Sequence, residues 1–223
     1  PASGALLVDP AWVPAELTAI ADLLQGRGLT VTGGFSTHAH HDHLLWHARF
    51  GDAPRWASAS TAELAIAERA TLLEHMGPGW PPELLELLGR VAPVDDAHLP
   101  DPWGEVELVV HDGHAPGHTA LWLPGRGVLL VGDMLSDVEL PLPFGPDDLD
   151  AYLAGLDRLA PYVARAAVLV PGHGRPTTEP LARLDADRRY LDTLIRDGDA
   201  DDPRRANPGM AEHHEHLQRL AAS

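Results

Sequence analysis

A chain of 223 residues, 44% of them hydrophobic, suffices for one domain with a sizeable core. Its formal net charge of −17 repels phosphate backbones and anionic lipid, so nucleic acid and membrane surfaces are not expected partners. There is no cysteine, hence no disulfide, thiolate ligand or thiol nucleophile, and all 16 basic side chains are arginine.

The chain opens strand, helix, strand. Residues 5–8 (Ala5-Leu6-Leu7-Val8) form an apolar run stopped by Asp9-Pro10. Val13, Leu17, Ile20 and Leu24 recur at helical spacing before Gly26 and Gly28, and residues 31–36 read as a second strand. A helical insertion covers about residues 60–90. Ser60 and Glu63 have capping-box spacing for a helix to about His75, Gly77-Pro78-Gly79 breaks it, and Pro81 starts another through Leu88. Strands follow at residues 105–111, 120–123 and 128–131, the last two joined at Gly125-Arg126-Gly127. Asp147 is placed to cap a helix carrying Leu149, Leu153, Leu156 and Leu159; a strand at 167–170, a late helix through Leu194 and a last helix from Met210 complete the order. The pattern is α/β in a single domain, residues 1–223. No run of 18 apolar residues could span a membrane, and a cytoplasmic location is expected. The chain begins on Pro1 rather than Met, so an upstream start, with or without a signal peptide, is compatible with it.

Fourteen histidines is a high count, and nearly half of them fall in one kind of place. His38-Ala39-His40-His41-Asp42-His43 follows the second strand, Gly117-His118 follows the strand ending at His111, Gly132-Asp133 follows the strand 128–131, and Gly172-His173-Gly174 follows the strand 167–170. Ligand sites of layered α/β folds gather at this carboxyl edge of the strands. Imidazole and carboxylate suit zinc and also manganese or iron(II). With His41 at a spacer position, the remaining seven groups are too many for one tetrahedral ion and about right for two that share a carboxylate, a setting that activates water near neutral pH. Asp42 could also carry a proton to or from the reacting groups. His111 and His114, close to His118, are candidates for groups that support a ligand; His213, His214 and His216 read as a solvated helix face.

His38-x-His40-x-Asp42-His43 followed by His118, Asp133 and His173 resembles the signature of the metallo-β-lactamase superfamily, of which glyoxalase II is a member. The resemblance implies an αββα sandwich, two mixed sheets flanked by helices. It implies His38, His40 and His118 on one metal, Asp42, His43 and His173 on a second, and Asp133 bridging, with two zinc ions per chain. The family usually has one or two strands before the one matching residues 5–8, and only Pro1 to Gly4 precede it here, so upstream residues are missing or the first sheet is trimmed.

Absences narrow the activity that the resemblance implies. Lactamases with a cysteine ligand are excluded, and the cysteine-free ones generally lack an aspartate matching Asp133. The RNA-processing branch needs basic features that this chain lacks, and glyoxalase II holds glutathione with basic side chains that have no lysine counterpart here. A dinuclear hydrolase of a small ester, thioester or lactone is therefore expected, with Asp42 and Asp133 as its catalytic carboxylates. The alternatives are an iron-dependent oxidoreductase similar to persulfide dioxygenases, or a metal-binding protein without turnover. Leu135, Leu140, Leu142 and Phe144 after Asp133, with Trp46 opposite, are expected to line the substrate pocket.

Overall fold

Two four-stranded sheets account for every strand among the described residues of the computed structural model, which are 4–77, 79–94, 97–103, 105–144 and 147–222. Pro1 and Pro78, which figured in the sequence reading, lie outside them. The chain divides into two compact units, residues 1–102 and 103–223.

In the first unit, β1 (Gly4–Val8) crosses through α1 (Pro14–Gly26) to a parallel partner, β2 (Thr30–Phe35). Of the predicted apolar face of α1, Leu17 is buried and Ile20 and Leu24 are partly so, with Ala21 buried beside them, while Val13 is the exposed N-cap. Two further parallel strands, β3 (Arg55–Ser58) and β4 (Ala92–Val94), complete the order β1-β2-β3-β4. Neither was predicted. β3 is four residues with an arginine in front, and β4 contains Pro93, which a sheet accepts on an edge strand such as this. Among the described residues the pairings of this sheet are parallel.

The helical insertion also differs in detail. Its first predicted helix is two, α3 (Ala59–Ala67) and α4 (Arg69–Met76), which meet at Glu68. The cap is Ser58, whose Oγ accepts the Thr61 N–H at 3.2 Å, so the helix starts before Ser60. α5 (Pro82–Leu87) ends against Arg69, which donates to the carbonyls of Leu85 (2.7 Å) and Leu88 (3.2 Å) and so satisfies groups that a helix end leaves bare. A one-turn helix, α2 (His41–Leu44), follows β2.

In the second unit β5 (Glu107–Val110), β6 (Thr119–Leu123) and β7 (Val128–Leu130) are antiparallel neighbours, and β8 (Val168–Val170) lies parallel to β7. α6 (Leu149–Val163) makes the crossover. Asp148, not Asp147, caps it, accepting the Ala151 N–H at 2.8 Å. Tyr152, Leu156, Leu159 and Val163 are its core face. α7 (Pro180–Asp197) and α8 (Met210–Ala221) pack Leu191, Leu194 and Leu217 into the same core. Among the described residues no helix is long and apolar enough to cross a membrane.

Candidate metal centre

In the first unit the candidate groups gather at the carboxyl ends of β1 and β2. Asp9, just past β1, has φ +43, a conformation that Asp tolerates better than most residues. Its Oδ1 accepts the Thr37 N–H (2.9 Å), and its Oδ2 accepts the Thr37 hydroxyl (2.6 Å). A carboxylate only accepts, so the one proton of the Thr37 hydroxyl is already engaged. The 3.0 Å contact between Thr37 Oγ1 and His38 Nδ1 is therefore donated by His38, and His38 Nε2 presents its lone pair outward. That nitrogen lies 2.9 Å from His40 Nδ1. Asp9 Oδ2 also sits 2.9 Å from His43 Nδ1, which turns His43 Nε2 towards Asp42 Oδ2, 3.3 Å away. His38 and His43 are buried, and Ser36 Oγ donates to the His43 carbonyl at 2.8 Å, which fixes α2 to the end of β2. His41, the spacer, is more exposed and makes an edge contact with the Trp12 ring.

In the second unit Asp133 stands with His114 and His173. His114 Nδ1 lies 2.6 Å from the Leu142 carbonyl; a carbonyl cannot donate, so Nδ1 carries the proton and Nε2 presents a lone pair. His114 Nε2 stands 3.7 Å from Asp133 Oδ2, and His173 Nε2 stands 3.4 Å from the same oxygen. Asp133 and His114 are buried, and His173 is half-buried.

These separations bear on whether a metal fits. Zinc takes imidazole nitrogen and carboxylate oxygen at about 2.0–2.2 Å in a tetrahedron, which sets neighbouring donors about 3.3 Å apart. Hydrogen bonds of this type run about 2.7–3.2 Å. The three imidazole–carboxylate contacts at 3.3, 3.4 and 3.7 Å match donors that share an ion better than direct hydrogen bonds. Within each unit the pairs His38–His40, Asp42–His43, His114–Asp133 and Asp133–His173 offer ligand atoms within 4.8 Å of one another. The donor set fits divalent metal.

His118 departs from the sequence expectation. It is fully buried, its Nε2 accepts the Asp133 N–H at 3.2 Å, and its Nδ1 lies 3.3 Å from His111 Nε2. The reason is the hairpin register. Val110 pairs with Thr119, and the next rung is the His111 N–H donated to the His118 carbonyl at 2.8 Å. His118 therefore continues the ladder while His114 rides the loop between, the place from which a ligand can reach outward. Two Gly-His steps, Gly113-His114 and Gly117-His118, stand four residues apart in the sequence, and the expectation named the second. His111 is a buried neutral group, its pKa pushed down to about 4 chiefly by burial, with the Asp112 charge opposing and His114 and Arg158 adding to the fall.

The apolar wall expected around the substrate is placed otherwise too. Leu135 and Leu140 belong to the core of the second unit, and Trp46 belongs to that of the first, edge-on to Phe50 with the Arg55 guanidinium 5.2 Å over its ring. A strand-following loop needs such anchors, and these side chains supply them. Leu142 is half-buried, and Phe144 is 55% exposed with its N–H donated to the His114 carbonyl at 2.9 Å, so it alone of the five stands exposed beside a candidate ligand. Sequence reasoning overlooked Asp9 and Thr37; the turn at Asp9-Pro10 was read as an ending only.

The sequence matches the Metallo-beta-lactamase superfamily over residues 2–173, and the chain belongs to that superfamily. Its α/β fold with two sheets is of that class. A metallo-beta-lactamase family protein from Thermus thermophilus is 25% identical over 85% of this chain and 72% of that one, with a TM-score of 0.60. TTHA1623, solved in a di-iron-bound form, is 28% identical over 78% of this chain and 83% of its own, with a TM-score of 0.53. The DIM-1 metallo-beta-lactamase exposed to ceftazidime shares the fold at 20% identity, covering 86% and 81% of the two chains with a TM-score of 0.64.

Proposed function

We propose that the protein is a dinuclear metal-dependent hydrolase of small esters, thioesters or lactones. In this reading His38, His40 and His114 would hold one ion, Asp42, His43 and His173 would hold the other, and Asp133 would be shared by both. His114 thus replaces the His118 of the sequence expectation. The observation that carries the proposal is Asp133 Oδ2, one oxygen faced by two imidazole nitrogens at 3.4 and 3.7 Å. In this reading residues 1–223 would act as one functional domain.

Divalent ions bound there would supply Lewis acidity and a water of lowered pKa. The chain's own residues do the rest. Asp9, through Thr37 and directly, sets the tautomers of His38 and His43, and the Leu142 carbonyl sets that of His114. Asp42, next to His43 Nε2, is placed to take a proton and return it to the leaving group. Phe144 offers an apolar surface beside His114 to a neutral acyl chain or ring. The net charge of −17 supports small, uncharged substrates over nucleic acid.

Zinc is the ion proposed, with manganese or iron(II) as alternatives. The di-iron form of TTHA1623 favours one second reading, an iron-dependent oxidoreductase. A panel of lactone, aryl ester, thioester and β-lactam, assayed with zinc-loaded protein beside oxygen uptake with iron-loaded protein, tests both. Turnover of one of the first three tenfold above the β-lactam in kcat/KM, about 1.4 kcal/mol, supports the hydrolase. Oxygen uptake without hydrolysis contradicts it.

A further inference from the structure

Asp133 and His173 stand on different loops, after β7 and after β8, and the backbone between Asp133 and Glu139 carries an unusual feature. Leu135, 1% exposed, has φ +59. A left-handed conformation costs a bulky residue about 1 kcal/mol or more and persists only where the surroundings over-determine it.

Those surroundings lead to His173. Ser136 Oγ accepts the N–H groups of Val138 and Glu139, both at 3.1 Å, and donates to the His173 carbonyl at 2.8 Å. Asp137 Oδ1 accepts the Arg175 N–H at 2.8 Å and pairs with the Arg183 guanidinium at 3.1 Å. Between His173 and Arg175, Gly174 has φ +113, and a Cβ there would overlap Asp137 Oδ1. Under the same loop lies Arg204, 6% exposed. It donates to the carbonyls of Ser136 and Glu139, both at 3.0 Å, and pairs with Asp187 at 2.5 Å and Asp202 at 2.9 Å. A buried charge is kept when its partners and hydrogen bonds are this complete.

We infer that Ser136 and Asp137 are positioning residues that hold the His173 loop against the Asp133 loop, with Arg204 as their buried anchor. The role rests on the proposed metal reading only in that the pair they align is a pair of ligands. Ser136 fixes the His173 backbone from one side. Asp137 fixes the next residue but one and leaves room for glycine alone between them. A bracket of this kind restricts His173 to the rotation that faces Asp133 Oδ2.

The test uses Ser136→Ala, Asp137→Ala and Asp137→Asn in the full chain. Asp137→Asn keeps an acceptor for the Arg175 N–H and loses the charge. Amide hydrogen exchange at Gly174 and Arg175 is followed in each, beside stepwise zinc affinity from chelator competition. Ser136→Ala and Asp137→Ala should each speed exchange at these amides about tenfold or more and weaken one zinc step about tenfold, the scale for groups that orient a ligand, while the other step holds. Asp137→Asn should restore most of both. Unchanged exchange in Ser136→Ala and Asp137→Ala, or equal weakening of both zinc steps, overturns the inference. If the unmodified protein binds no zinc, the metal reading fails, and the exchange rates alone then decide whether the bracket holds the loop.

Discussion

Asp9 Oδ2 lies 2.9 Å from Nδ1 of His43, and the other nitrogen of that ring lies 3.3 Å from Asp42 Oδ2. One imidazole is thus held between a carboxylate at the end of β1 and another on α2. The first fixes its tautomer; the second faces its other nitrogen.

Asp9 should therefore matter to metal without touching it. Asp9→Ala removes the acceptor of both Thr37 donors and of His43. Zinc affinity should fall by about 10–100-fold, read by chelator competition. Unaltered affinity in a folded variant would contradict the orienting role.

The two histidines of the β5–β6 hairpin should part company. His114→Ala removes a proposed ligand, and elemental analysis should show about one ion fewer per chain. His118→Ala empties a fully buried site under the Asp133 N–H. It should lose stability, by about 1–3 kcal/mol for the donor left unsatisfied, while retaining both ions. Loss of metal in His118→Ala with retention in His114→Ala would restore the original assignment.

The same pair of residues shows what the sequence makes legible. Most of the element order and the edge on which ligand residues gather follow from periodicity and from glycines beside strands, whereas the division into two apolar cores does not. β3 and β4 escape because their strand character comes from neighbours: Trp56 pairs with both Phe35 and Ala92, and no alternation within four residues announces that. Ser58 and Asp148 displace Ser60 and Asp147 as caps because boundaries are settled by which side chain reaches a bare N–H. His114 and His118 are alike as text and differ by one rung of a ladder. Leu135, Leu140 and Trp46 are apolar whether they line a pocket or a core, and burial decides between the two.

His111 predicts a pH dependence of stability. Its folded pKa of about 4 is below the ordinary 6.5. Between these values the unfolded chain binds a proton that the folded chain refuses, so stability rises with pH through this window and is level above it. The contribution present at pH 7 and lost by pH 4 is on the order of 3 kcal/mol. Thermal unfolding from pH 7 to 4.5 should show a steeper fall in Tm for the unmodified protein than for His111→Asn, whose amide does not titrate. Parallel slopes would contradict it.

Charge makes the fourth prediction. With a net −17, the protein should show no binding to labelled single- or double-stranded DNA or RNA at physiological salt, where phosphate contacts dominate affinity. Anisotropy at low micromolar protein reads this, and a saturable, salt-sensitive rise would contradict it.

The central claim is that Asp133 is shared by two ions. The most direct measurement is elemental analysis of protein purified without chelator and then supplied with zinc, for the unmodified chain and for Asp133→Ala. The account predicts about two divalent ions per unmodified chain, at the roughly 3.5–4 Å separation of two-metal sites by X-ray absorption, and loss from both steps in Asp133→Ala. Less than one ion per unmodified chain after zinc is supplied, or two ions still held by Asp133→Ala, would contradict it.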